Sequence, residues 1–182
     1  GMASHIRDSA LLDALERLEQ VPFEEPVWRS VVEGRDPLVC ARGGGRWDDR
    51  SFDVLYTSAT REAAVEERRF PLFRGQPIPP SKVHFRLYEL KAHLSAMITF
   101  QTVDALKEVG MRVEGYGGAS YWDRKSEYPR SQEIAEACFF LGADGIHVPS
   151  ARHPSPNIIV FCEQDTRPSV QVIRDHGRMD WT

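Results

Sequence analysis

The chain has 182 residues, 41% of them hydrophobic and 27% charged, with a formal net charge of −4. That length is ordinary for one domain with its own core. The acidic balance argues against broad nucleic-acid binding, which relies on basic groups neutralising phosphates.

The odd count and wide spacing of the three cysteines, Cys40, Cys138 and Cys162, argue against a disulfide framework or a zinc ribbon, so a reducing, cytoplasmic setting is expected. The apolar stretch Leu94–Val103 is about half of the roughly 20 residues a membrane span needs. Asp8, Asp13 and Glu16 stand where an export signal would be apolar.

Ser9–Leu18 has a serine at its start and Leu11, Leu15 and Leu18 at helical spacing, which predicts a helix. Pro22 and Pro26 punctuate the next segment, and Val27–Val32, "VWRSVV", reads as a short strand. Gly34–Gly45 is loop, and Asp53–Tyr56 is a second short strand. Thr60–Arg69 is a helix capped by Thr60. Pro71–Pro80 is a rigid connector.

Lys82–Leu90 alternates Val83, Phe85 and Leu87 with polar residues, as a half-buried strand does. Thr102–Val109 is a short helix stopped by Gly110, and Gly115–Gly118 is a turn. Ser131–Leu141 is a serine-capped helix ended by Gly142. "GIHV" at 145–148, "NIIVF" at 157–161 and "VQVI" at 170–173 read as strands. Strands outnumber helices and the two are interspersed. The expected fold is α+β, or mixed α/β, in a single domain over residues 1–182.

No familiar catalytic spacing is present. His84, His93, His147 and His153 lack both the helical i, i+4 pairing and the cysteine partners of a zinc site, so no metal is expected. No nucleophile elbow or P-loop occurs. Cys138 sits on an apolar helix face, where cysteine is ordinarily a small core residue, and Trp47 is expected in the core as well.

One pattern remains, in three blocks. The first is Gly45-Arg46-Trp47 leading to Val54-Leu55-Tyr56. The second is Ser58, Ala64 and Glu67. The third is Asp144-Gly145-Ile146 with Pro149-Ser150-Ala151-Arg152, then Asn157 and Phe161. In this order they resemble the RES domain, a family named for its arginine, glutamate and serine, over about residues 27–161.

The resemblance implies a fold related to ADP-ribosyltransferases and an enzyme similar to bacterial toxins that destroy NAD. Those proteins split the nicotinamide–ribose bond by phosphorolysis or hydrolysis, and a separate Xre-type antitoxin blocks their pocket. NAD is then a substrate, inorganic phosphate a co-substrate of the phosphorolytic route, and no resident cofactor is expected. Homo-oligomerisation stays open.

The roles implied fall on Arg46, Tyr56, Glu67 and Ser150 as catalytic residues, with Arg46, Tyr56, Ser150 and Arg152 contacting the ligand. A guanidinium can grip a pyrophosphate bidentately. A carboxylate can stabilise the positive charge that develops on the ribose. Read without the pattern, "VEERR" is a solvated helix face and Ser150 a turn residue. The register leaves Glu66 and Glu67 both open as the acid. Where the family usually has asparagine and then a glycine-containing turn, this chain has "DDRSFD". Two aspartates there would repel a pyrophosphate unless turned away, which keeps two further readings in view: a nucleotide- or partner-binding module without turnover, and a protein ADP-ribosyltransferase.

Overall fold

The computed structural model describes residues 6–73, 83–114, 116, 121–150 and 153–179. Among them the order is α1 (Ser9–Glu16), β1 (Gln20–Val32), β2 (Val54–Ser58), α2 (Arg61–Phe73), β3 (Phe85–Thr99), α3 (Val103–Glu108), α4 (Tyr121–Phe140), β4 (Gly145–Val148), β5 (Asn157–Phe161) and β6 (Ser169–Arg178). The mixture of helices with one mixed sheet is the α+β arrangement expected. No helix among the described residues is long and apolar enough to cross a membrane.

Local chemistry sets the helix ends. Thr60 Oγ1 accepts the Ala63 amide, and Thr102 Oγ1 accepts that of Ala105, each satisfying a donor that the first turn leaves open. For α1 the cap is Asp8 rather than Ser9: its carboxylate accepts from Ala10 and Leu11. Gly142, at φ +93°, ends α4 in the left-handed region that glycine enters at no steric cost.

The six strands pair in the order β1-β2-β5-β4-β3-β6, and β1 also pairs with β3. The ladder from β1 through β3, β4, β5 and β2 therefore returns to β1, closed by the single pair Trp28–Ser58. Among the described strands only β3 and β4 run parallel. Alternate residues of β5 face opposite ways. Ile158 and Val160 join a core with Val27, Leu55, Leu90 and Leu94 inside the ring. Ile159 and Phe161 join a second core with Trp47, Phe52, Ile134 and Cys138, under α1, α3 and α4. Trp47 is 1% exposed and Cys138 is fully buried, the core positions expected of both.

Several boundaries differ from the sequence reading. β1 starts seven residues before Val27 and runs through both prolines. Pro22 lies at a register shift between Val21 and Phe23, and the edge of β1 away from β3 carries only the Trp28 pair, so the prolines interrupt little of a ladder. β3 continues from Leu90 to Thr99 because its second half pairs with the early residues of β1, and its last three residues also find a parallel partner in β4. α2 continues over Pro71 to Phe73, and the rest of the expected 71–80 connector lies outside the described residues. So do Gly115, Gly117 and Gly118 of the expected turn. α4 begins at Tyr121, so Ser131 is not its cap. The Ser131 hydroxyl instead reaches the Tyr128 and Arg46 carbonyls from within the helix.

The cysteine expectation is overturned for one pair. Cys40 and Cys162 form a disulfide across 122 positions of sequence, with their Cα atoms 6.6 Å apart. The Ala41–Val54 bridge and the pairing of Val54 with Phe161 bring the two residues together. Wide spacing was no bar, and the cysteine count no longer argues for a reducing setting. Cys138 is the free thiol, pushed up in pKa by its burial.

The β3–β4 junction turns on Asp144, fully buried. Its carboxylate accepts from the Ser95 and Ala96 amides, at 2.7 and 2.9 Å, and from the Thr166 hydroxyl. Asp144→Ala would strand these donors, and should lower stability in chemical denaturation by about 2–4 kcal/mol. β6 is held differently. Glu33 accepts from Arg178 and Arg86, which hold its carboxyl down to about 2 from the ordinary 4.5. Its contribution is complete above about pH 4.5 and disappears as pH falls through 2. The stability difference between wild type and Glu33→Gln, measured by thermal melts, should therefore be present at pH 6 and vanish near pH 2.

Candidate functional site

The glycine run that precedes Arg46 is organised by a buried aspartate. Asp48, 1% exposed, accepts the Gly44 amide on Oδ1 at 2.7 Å and the Gly45 amide on Oδ2 at 2.9 Å. Its Oδ2 also accepts the Tyr56 hydroxyl at 2.9 Å, and the Tyr56 oxygen in turn accepts the Trp47 amide. Gly44 has φ +81°, and a Cβ on Gly45 would stand 2.6 Å from the Tyr56 hydroxyl. Positive φ and close approach are what those two positions require. Asp48 is thus turned into its own loop, where three donors meet its charge. Asp49 caps Ser51 nearby.

Tyr56 stands on β2 with its hydroxyl fully engaged. Burial, and after it the Asp48 charge, push its phenol well above the usual range. The ring, rather than the oxygen, is what it can offer a ligand. Arg46 leaves the loop between two aromatic rings: its guanidinium carbon is 5.1 Å from the centre of Tyr116 and 5.2 Å from that of Tyr128, within cation–π range.

Glu67 is presented by α2, whose Thr60 cap directly follows β2. Its Oε1 accepts the Ser150 hydroxyl at 2.6 Å and the Asn157 amide at 3.2 Å. Asn157 is also a neighbour of Ser58, whose hydroxyl donates to it at 3.4 Å. The Ser150 oxygen accepts the His153 amide. No described residue donates to the Oε2 of Glu67. Glu66 lies instead beside Arg69, on the more exposed side of the helix, so Glu67 is the acid that joins Ser150.

Two hollows adjoin here. One, of about 200 Å³, is lined by Trp28, Arg29, Ser30, Tyr56, Thr57, Ser58, Ala64, Glu67, Arg68 and Asn157. The other, of about 400 Å³, is lined by the glycine loop with Arg29, Val39, Ala41, Asp48, Val54, Tyr56 and Tyr128. They share Arg29 and Tyr56, and small-molecule sites commonly occupy roughly 300–1,000 Å³. Glu67, Ser150 and Asn157 are brought together, and Tyr56 faces both hollows. Arg46 lines neither, although Tyr128 beside it lines the second. Arg152 lies outside the described residues. Among the described residues no three His, Cys, Asp or Glu side chains gather as metal ligands would.

Sequence reasoning missed Arg29 and Arg68. Arg29, on β1, donates from Nη1 to the Tyr56 carbonyl at 2.9 Å, and its Nε is buried without a partner. Arg68 donates to the hydroxyl and carbonyl of Ser30, both at 3.0 Å, and lies over the Phe85 ring. Burial and then the Arg68 charge pull Arg29 down to about 10, and burial lowers Arg68. At about 10, Arg29 stays cationic at neutral pH. The available signal was an arginine inside the apolar run "VWRSVV". Arg68 had none, since "EERR" reads as a solvated face.

The sequence pattern of the RES domain matches residues 26–182. No curated protein sequence matches. Among solved structures, a chain in the crystal structure of the M. tuberculosis MbcT–MbcA toxin–antitoxin complex superposes with a TM-score of 0.73. It is 19% identical, and the match covers 93% of this chain and 92% of that one. At that identity the likeness is one of fold.

Tyr56→Phe would leave the Asp48 carboxylate and the Trp47 amide each short of a partner. It should destabilise the protein by about 1–3 kcal/mol in urea titrations. A neutral result would detach Tyr56 from the loop.

Proposed function

The chain belongs to the RES domain family, and on that premise we propose that it degrades NAD by cleaving the bond between nicotinamide and ribose. The observation that carries this reading is the Glu67 carboxylate, which lines a hollow with one oxygen anchored by Ser150 and Asn157. The other oxygen is left for a ligand.

Nicotinamide leaves NAD as a neutral base, taking the bonding pair with it, so the departing group needs no proton. The charge that must be stabilised is the positive charge on the ribose carbon and ring oxygen. A fixed carboxylate at about 4 Å, with an effective dielectric constant near 20, stabilises such a charge by on the order of 4 kcal/mol. Because Ser150 and Asn157 already hold Glu67, little reorganisation is needed at the moment of reaction. The Tyr56 ring offers a flat apolar surface for the nicotinamide. Arg46, flanked by Tyr116 and Tyr128, supplies the guanidinium for the anionic bridge of the dinucleotide. Ser150 and Arg152 complete the proposed contacts.

The inward turn of Asp48 removes the main motive for a module without turnover, since its charge is met by the loop's own donors rather than aimed at a ligand. We further propose a toxin role in the cytoplasm, where NAD is found, restrained by a separate Xre-type antitoxin protein. The structural likeness to a chain of a toxin–antitoxin complex supports that extension.

Purified protein incubated with NAD should release free nicotinamide, followed by chromatography. Glu67→Gln, which keeps the shape and removes the charge, should slow release by about 10²–10³. Release unaffected by Glu67→Gln would defeat this reading. Label moving from NAD onto a macromolecule would favour the transferase reading instead.

A further inference from the structure

The smaller hollow has a second aromatic wall besides Tyr56. Trp28, on β1, lines it together with Glu67, and its single pair with Ser58 is also the one that joins β1 to β2. A histidine from the edge strand stands behind it. His176, on β6, holds its imidazole 4.8 Å from the Trp28 ring, centre to centre, at 54° between the planes, within the range where aromatic pairs attract. Its Nε2 lies 3.0 Å from Glu89 Oε1 on β3. An ionised carboxylate only accepts, so the imidazole donates. Glu89 is the cross-strand neighbour of Trp28 on one side and of Arg174 on the other. Three adjacent strands thus each give one residue to a chain, Glu89–His176–Trp28, that ends at the hollow. On a strand that leaves even Val172 and Ile173 about half exposed, the His176 side chain is only 23% exposed. Holding it down costs rotamer freedom, which the contacts with Trp28 and Glu89 must offset.

We propose that His176 is a positioning residue for the candidate site: fixed by Glu89, it backs the Trp28 indole and holds it as a wall against which the nicotinamide end of NAD packs. This rests on the NAD-cleaving reading. His176 is not among the described residues that line either hollow, so it acts through Trp28 rather than on the ligand. An indole braced from behind keeps one rotamer and presents its face without an ordering cost when the ligand arrives. The contribution falls on binding rather than on bond breaking, because the groups that anchor Glu67 are Ser150 and Asn157 and do not include Trp28.

The test separates the imidazole ring from its hydrogen bond, and both from stability. Steady-state NAD cleavage is measured for the whole chain and for His176→Ala, His176→Phe and His176→Gln, with a urea titration of each. A carbocyclic NAD, with a methylene in place of the ring oxygen of the nicotinamide-bearing ribose, resists cleavage and is titrated in parallel by calorimetry. His176→Ala should raise the KM for NAD and the Kd of this analogue together by about 3- to 10-fold, the size of one lost aromatic pair, with kcat changed by no more than about two-fold. His176→Phe keeps a ring behind the indole and should recover most of the loss. His176→Gln keeps a donor for Glu89 without the ring and should recover little; recovery by Gln and not by Phe overturns the proposal. On a Trp28→Leu background His176→Ala should add nothing, since it acts through the indole. Should His176→Ala fail to fold, His176→Gln carries the same expectation. Equal increases on both backgrounds, or a loss of stability with KM and Kd unmoved, make His176 an ordinary surface contact and overturn its positioning role, while NAD cleavage stands. Analogue binding that shows the coupling to Trp28, in a protein that releases no nicotinamide, keeps the positioning role and removes the cleavage reading. Neither binding nor release overturns both.

Discussion

Five consecutive pairs between β2 and β5, from Val54–Phe161 to Ser58–Asn157, fix the relation between the parts of the site. Because side chains alternate across a strand, this ladder divides its residues between the two cores, and slipping it by one would exchange every one of them. At one end it places Ser58 against Asn157, and through Asn157 it anchors Glu67 on the helix that follows β2. At its middle, Tyr56 leans over the glycine loop and meets Asp48. The catalytic carboxylate proposed here and the loop that carries Arg46 are thus set by one short, almost wholly buried pairing rather than by contact with each other.

Much of this was legible in the sequence where a local rule decides the outcome. Thr60 and Thr102 cap helices because a hydroxyl beside an open amide does so in almost any context. Gly142 ends α4, and "NIIVF" is a buried strand because nothing but a core suits it. Glu67, in the second block of the pattern, and Ser150 and Asn157, in the third, are tied together by the pattern as a whole, which no local rule would join.

What stayed hidden depends on partners distant in sequence. The second half of β3 is a strand because the start of β1 lies beside it, joined at its end by β4. The first half of α4, "YWDRKSEYPR", has no apolar period and contains Pro129, so its helicity rests on context. Asp48 read as a charge facing a ligand, when its length lets it fold back onto two glycine amides. Arg29 and Arg68 looked like a strand polar position and a solvated helix face, and only the closing of the ring around Ser30 turns both toward one hollow.

The bond between Cys40 and Cys162 gives the domain a covalent circumference. Arg46, Tyr56, Glu67, Arg68, Ser150 and Asn157 all lie within that circle, and Arg29 is the outlier. Denatured chain cannot spread as widely while the circle is intact, and the chain-entropy relation for a sequence separation of 122 gives about 5 kcal/mol at room temperature. That figure is comparable with the whole stability of many small domains. The protein's persistence is therefore tied to the electron supply of its surroundings: where thiols are kept reduced it must stand on its two apolar cores alone.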